Sequence, residues 1–138
     1  MTGQKALGFQ ERPHTADWAL DVWAPDLPTL LEQAARGMYA LMGTRLRAEP
    51  RTQRSFELRS SDPESLLVAF LSELLYWGEQ EGLGFDTFHL ALSGETLQAN
   101  VGGAPIESQS KEIKAVTYHN LAIRQGERGL ETTVVFDV

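Results

Sequence analysis

Two stretches of this chain repeat apolar residues at three- and four-residue steps, and each is bounded by residues that start and stop helices. In the first, Leu27, Leu30, Leu31, Ala34, Ala35, Met38, Leu41 and Met42 form one stripe. Asp26 is placed to accept from N–H groups of the first turn, Pro28 fits where no N–H is needed, and Gly43 supplies a positive φ after the last turn. The second begins at an Asp62 cap followed by Pro63 and Glu64, carries Leu66, Leu67, Phe70, Leu71, Leu74 and Leu75, and stops at Gly82. A helix with an apolar stripe must bury it, so the rest of the chain has to offer surface to both.

That rest reads as strands. The segment 17–24 alternates with Trp18, Leu20 and Val22 on one face, and 54–59 does so with Phe56 and Leu58. Segments 85–92 and 95–101 flank Ser93-Gly94, a compact hairpin signal. A second hairpin is expected to join 115–124 to 130–138 across Gly126-Glu127-Arg128-Gly129, with Leu130, Val134 and Phe136 facing the core and Glu131, Thr133 and Asp137 facing away. The order is β-α-β-α-β-β-β-β. Hairpin-linked strands pair antiparallel, so the expected class is α+β, with two helices packed on antiparallel sheet. A chain of 138 residues makes this a single domain over 1–138.

Composition narrows the chemistry. No cysteine is present, which excludes disulfides, thiolate zinc sites and a cysteine nucleophile. Twelve Lys+Arg against nineteen Asp+Glu give a net charge of −7, which disfavours direct nucleic-acid binding and points to action on nucleic acid through a partner. No apolar run approaches the ~18–20 residues that span a membrane, and the start of the chain leads into no signal-peptide segment, so a cytoplasmic, membrane-free protein is expected.

Several residues are candidates for a site. Asp17, in His14-Thr15-Ala16-Asp17, enters the first strand, and Asp137 lies one residue from the Val138 carboxylate. If the chain ends meet, three carboxylates converge, and such a cluster must protonate, stay solvated or hold a cation. Oxygen donors without cysteine suit calcium or magnesium; ordinary surface carboxylates are the plainer reading. His14 and His119 could ligate or shuttle protons, or simply be surface residues. Lys111 and Lys114 could meet a phosphate or a partner's carboxylate, or be solvated loop residues beside a Tyr118 that packs on the sheet. Val101-Gly102-Gly103-Ala104-Pro105 follows a strand but opens no helix, and is rejected as a phosphate loop.

Together these segments resemble a known family. His14-Thr15-Ala16-Asp17 and Lys114-Ala115-Val116-Thr117-Tyr118-His119 resemble the two signature segments of the archeases. The helix around Leu66–Tyr76 with its embedded Glu73, and the ending Val134-Val135-Phe136-Asp137-Val138, are similar to that family's leucine-rich helix and terminal strand. The resemblance implies a small α+β protein that assists an RtcB-type RNA ligase, promoting its guanylylation and multiple turnover in tRNA splicing or RNA repair. It implies no catalysis by the chain itself, and RNA contact only through the ligase. It further implies a divalent ion, calcium first with magnesium or manganese as alternatives, held by Asp17, Asp137 and Val138. Lys114, and with it His14 and His119, become candidates for partner contact or for support of the metal ligands. Two other functions stay open: a small metal-dependent phosphoesterase, and a chaperone-like modulator of nucleic-acid-processing proteins.

Overall fold

A computed structural model describes residues 6–12 and 18–138. The elements run β1 (Gly8–Arg12), β2 (Trp18–Ala24), α1 (Leu27–Met42), β3 (Arg45–Leu46), β4 (Thr52–Arg59), α2 (Pro63–Glu81), β5 (Leu83–Ser93), β6 (Thr96–Ser108), β7 (Ala115–Val116), β8 (Arg124–Gly126) and β9 (Gly129–Asp137). All strand pairs are antiparallel and fall into two sheets. One has the order β1-β2-β9-β7 with β8 also on β9; the other has β6 at its centre, paired with β3, β4 and β5. The α+β class holds, with helices covering antiparallel sheet. Among the described residues no helix is long and apolar enough to cross a membrane.

Both helices begin and end where their punctuation places them. The Asp26 side chain, on an extended backbone, accepts from the Thr29 N–H at 2.9 Å. At the other end Gly43 takes φ 63, its N–H donating to the Ala40 carbonyl and that of Thr44 to Tyr39. This paired closure satisfies carbonyls that the last turn would otherwise leave bare. Asp62 accepts from Ser65 N–H at 3.0 Å, and Gly82 at φ 66 donates back to Gly78.

Helix α1 lies against β1 and β2 on one side and β5 on the other, and α2 packs on α1, β4, β5 and β7. The core is therefore shared between the sheets. Phe70 of α2 stands between Phe56 of β4, stacked at 6.3 Å, and Phe88 of β5, edge-on at 6.5 Å. Leu20, Leu30, Leu31, Met38, Leu67 and Phe136 are fully buried around them.

The strands depart from expectation in four places. Strand β1 was not anticipated, because it is a mostly exposed edge with one large apolar residue, Phe9, and so has no alternation to read. Strand β3 is only two residues long. Strands β5 and β6 run beyond the expected limits, carrying Gly102 and Gly103 inside β6. There a Cβ on Gly103 would overlap the Gly84 backbone, so the glycine pair serves close strand approach. Finally, the expected strand 115–124 is broken into β7 and β8 with a turn between them.

Gly37, mid-helix in α1, faces β2 at short range: a Cβ would stand 2.5 Å from Leu20 Cδ2 and 2.9 Å from Phe9 Cγ. Ordinarily Gly→Ala inside a helix gains about 0.5–1 kcal/mol. Here overpacking is expected to win, and Gly37→Ala should lower stability by about 1–3 kcal/mol in urea unfolding. An unchanged or raised midpoint would show that α1 can move away from β2 without cost.

Candidate functional site

Strand β9 is paired on both edges, and that pairing builds the corner where Lys114 meets Asp137. Trp18 at the start of β2 lies opposite Phe136 on one edge. Val116 lies opposite Phe136, and Ala115 opposite Asp137, on the other. The Lys114 N–H donates to the Asp137 carbonyl at 2.8 Å, so two segments distant in sequence are hydrogen-bonded neighbours. Just beyond β7, the Thr117 N–H and hydroxyl both donate to the Val135 carbonyl, at 3.0 and 2.9 Å. The chain then turns: Leu121 N–H donates to the Tyr118 carbonyl, and Asn120 adopts φ 51. Asparagine tolerates that left-handed conformation, and it is this turn that interrupts the expected strand.

Asp137 is exposed, and its carboxylate accepts no hydrogen bond from the described residues. Val138 is half-buried and packs against the core. The Lys114 side chain is exposed and, among the described residues, forms no ion pair. His14 and Asp17 lie outside the described residues. Among the described residues no three carboxylate or imidazole side chains come together as metal ligands. What is present at the corner is the exposed Asp137 carboxylate, an oxygen ligand of the kind a hard cation takes.

One reading of the 111–119 segment is extended and one is corrected. Lys111 is an exposed loop residue, and its Nζ stands 4.2 Å above the Trp18 ring. This cation–π contact ties the approach to β7 to the residue that follows Asp17. Tyr118 does not pack on the sheet; it is 58% exposed at the turn.

His119 lines a cleft of about 580 Å³ on the outer face of the five-stranded sheet. Its backbone N–H donates to Thr117 Oγ1 at 3.2 Å, and its Nε2 lies 3.3 Å from the Asn120 amide. Two ion pairs shape the cleft. Arg12 Nε reaches both Asp21 oxygens at 3.1 Å, and Thr133, opposite Asp21 in the β2–β9 ladder, donates to Asp21 Oδ1 at 2.7 Å. Arg128 donates to Glu131 through its backbone N–H at 3.3 Å and Nη2 at 3.2 Å, with its guanidinium 4.0 Å over the Trp23 ring. The Arg128 backbone N–H first, and then its side chain, hold the Glu131 carboxyl below the usual carboxylate range. Outward positions of β9 are legible as polar, but nothing in the sequence brings Arg12, Arg124 and Arg128 to one face. Only the pairing of β1, β2, β8 and β9 does that.

Comparisons with known proteins agree with this architecture. Residues 9–138 match the Archease protein family (MTH1598/TM1083). A protein archease from Methanosarcina barkeri is 34% identical over 139 residues, covering 94% of this chain and 95% of its own length. One from Thermococcus gammatolerans is 32% identical over 125 residues, covering 85% and 88%. Among solved structures, an archease from Thermotoga maritima, described as a possible chaperone, superposes with a TM-score of 0.70 at 26% identity over 94% of this chain and 98% of its own. Methanobacterium thermoautotrophicum protein 1598 does so with a TM-score of 0.73 at 26% identity, over 95% and 99%.

The Glu131 pair has a pH signature. In an unfolded chain that carboxyl titrates near 4.5, and in the fold it titrates lower. The unfolded state therefore binds more protons across that interval, and the pair's stabilisation, present above 4.5, is lost as pH falls through the lowered folded value. Glu131→Gln should accordingly show a smaller drop in urea midpoint between pH 6 and pH 3 than the parent protein. Equal drops would mean that the pair gives no pH-dependent stabilisation.

Proposed function

The chain belongs to the archease family, and from that premise we propose that it is a non-catalytic activator of an RtcB-type RNA ligase. In this reading it promotes formation of the ligase–guanylate intermediate and repeated turnover, in tRNA splicing or RNA repair, and meets RNA only through the ligase. The observation that carries the reading is the hydrogen bond from Lys114 N–H to the Asp137 carbonyl, which joins two of the family-like segments at one exposed corner. An acidic protein suits a role in which affinity comes from a basic partner surface rather than from nucleic acid.

In the same reading Asp17, Asp137 and a backbone or terminal oxygen of Val138 hold one divalent ion, calcium first. When bound, a hard cation would neutralise the carboxylates and set a fixed positive charge at the corner. Asp137 supplies an exposed carboxylate for it. Lys114, one register step away, presents a free ammonium to the partner. Lys111 keeps Trp18, and hence the chain next to Asp17, against the β7 approach.

Two measurements test this. Calcium should raise the melting temperature, since binding to the folded state alone adds about 2.7 kcal/mol at a hundred times Kd. Asp137→Asn should lose most of that rise, and equal shifts in both proteins would remove Asp137 from the site. Lys114→Ala should change stability by no more than about 0.5 kcal/mol and keep the calcium response. It should nevertheless accelerate ligase guanylylation far less than the parent. If ligation ran with the same amplitude and turnover whether or not the parent protein was added, the activator reading would fail. Hydrolysis of a cyclic phosphate by the isolated chain would replace it with the phosphoesterase.

A further inference from the structure

The cleft beside His119 is lined by three arginines in a protein whose net charge is −7. Its two acids are already engaged: Asp21 accepts from Arg12 and Thr133, and Glu131 accepts on both oxygens from Arg128. Arg124 is the exception. In the β8–β9 ladder it sits directly opposite Glu131, the position from which a cross-strand ion pair would form. Arg128 takes both Glu131 oxygens instead, so among the described residues the Arg124 guanidinium has neither an ion pair nor a side-chain hydrogen bond. A charged fork with five donors is thus left facing a cleft of about 580 Å³, within the roughly 300–1,000 Å³ typical of small-ligand sites.

We propose that this cleft binds the phosphate group of a nucleotide-sized phosphate ester, with Arg124 as the principal ligand and the unused guanidinium edges of Arg12 and Arg128 beside it. Arg12 spends Nε and Nη2 on Asp21, and Arg128 spends Nη2 on Glu131, so each keeps donors for a second acceptor. A phosphate offers three or more oxygens to these forks, whereas a carboxylate offers two. Asn120 and Gln125 line the same cleft and add amide donors. Recognition stops at the phosphate. Trp23 is 8% exposed and already carries Arg128 on its ring, so it offers no face on which a base could stack. The assignment requires neither the ion nor a ligase.

The test uses the full chain treated with EDTA, because polyphosphates chelate divalent ions, in buffers of equal ionic strength. Binding of tripolyphosphate, ATP, GTP and citrate is measured by calorimetry and by thermal melting. Tripolyphosphate and both nucleotides should bind with similar affinity and raise the melting temperature, with citrate clearly weaker. Arg124→Gln should weaken tripolyphosphate binding about tenfold or more, while melting within a few degrees of the parent without ligand, since among the described residues it gives up no ion pair or side-chain hydrogen bond. Asp137→Asn should bind it as the parent does. Equal tripolyphosphate binding by Arg124→Gln, citrate as effective as tripolyphosphate, or binding confined to one nucleotide would each overturn the assignment. Loss of binding in Asp137→Asn would also overturn it, by moving the anion to the other corner, and would leave the activator reading intact.

Discussion

The double-edged pairing of β9 is the interaction on which the rest of the molecule depends. This last strand runs antiparallel to β2, the strand that precedes the first helix, along almost its whole length. Its other edge is divided between β7 and β8. Pairing both edges satisfies the backbone of Val134, Val135 and Phe136, which are buried and could not otherwise leave water without large cost. It also closes the longest loop in the fold, so the entropy of bringing the chain ends together is compensated only if the apolar face of β9 reaches the core. Phe136 does reach it, at zero exposure.

From that closure the geometry of the two proposed sites follows. At one end of β9, Asp137 emerges between the β7 approach and the start of β2. Along its outward face, Glu131 accepts from Arg128 of the adjoining turn, and Thr133 donates to the Asp21 carboxylate that Arg12 also holds. The bend between β7 and β8 carries the chain from Lys114 to His119. Thr117 anchors the chain to Val135, Asn120 takes the left-handed conformation, and Thr132 donates to the Ala122 carbonyl at 3.0 Å on the far side. As a result Lys114 stays at the Asp137 corner while His119, only five positions on, turns into the cleft.

Electrostatics in the cleft are arranged by competition for one acceptor. Glu131 has two possible arginine partners: Arg124 across the ladder and Arg128 in the preceding turn. Arg128 holds it because the same residue also donates its backbone N–H and rests its guanidinium on Trp23. These contacts reinforce one another at little further entropic cost once the turn is formed. The displaced charge is Arg124.

Local features were set by the sequence alone. Asp26 with Gly43, and Asp62 with Gly82, bound the helices because caps satisfy orphan backbone groups within a few residues of themselves. The inward alternation of Leu130, Val134 and Phe136 is equally local, since it needs only the two-residue period of a strand. The tertiary structure decided what depends on partners distant in the chain. It made an edge strand of 8–12 by supplying β2. It broke 115–124 into two short strands, because the Thr117 hydroxyl found Val135 and Asn120 found a turn. It set the exposed Lys111 over the Trp18 ring, and brought three scattered arginines onto one face. No periodicity encodes these outcomes, because each arises when a side chain finds a neighbour that only sheet register supplies.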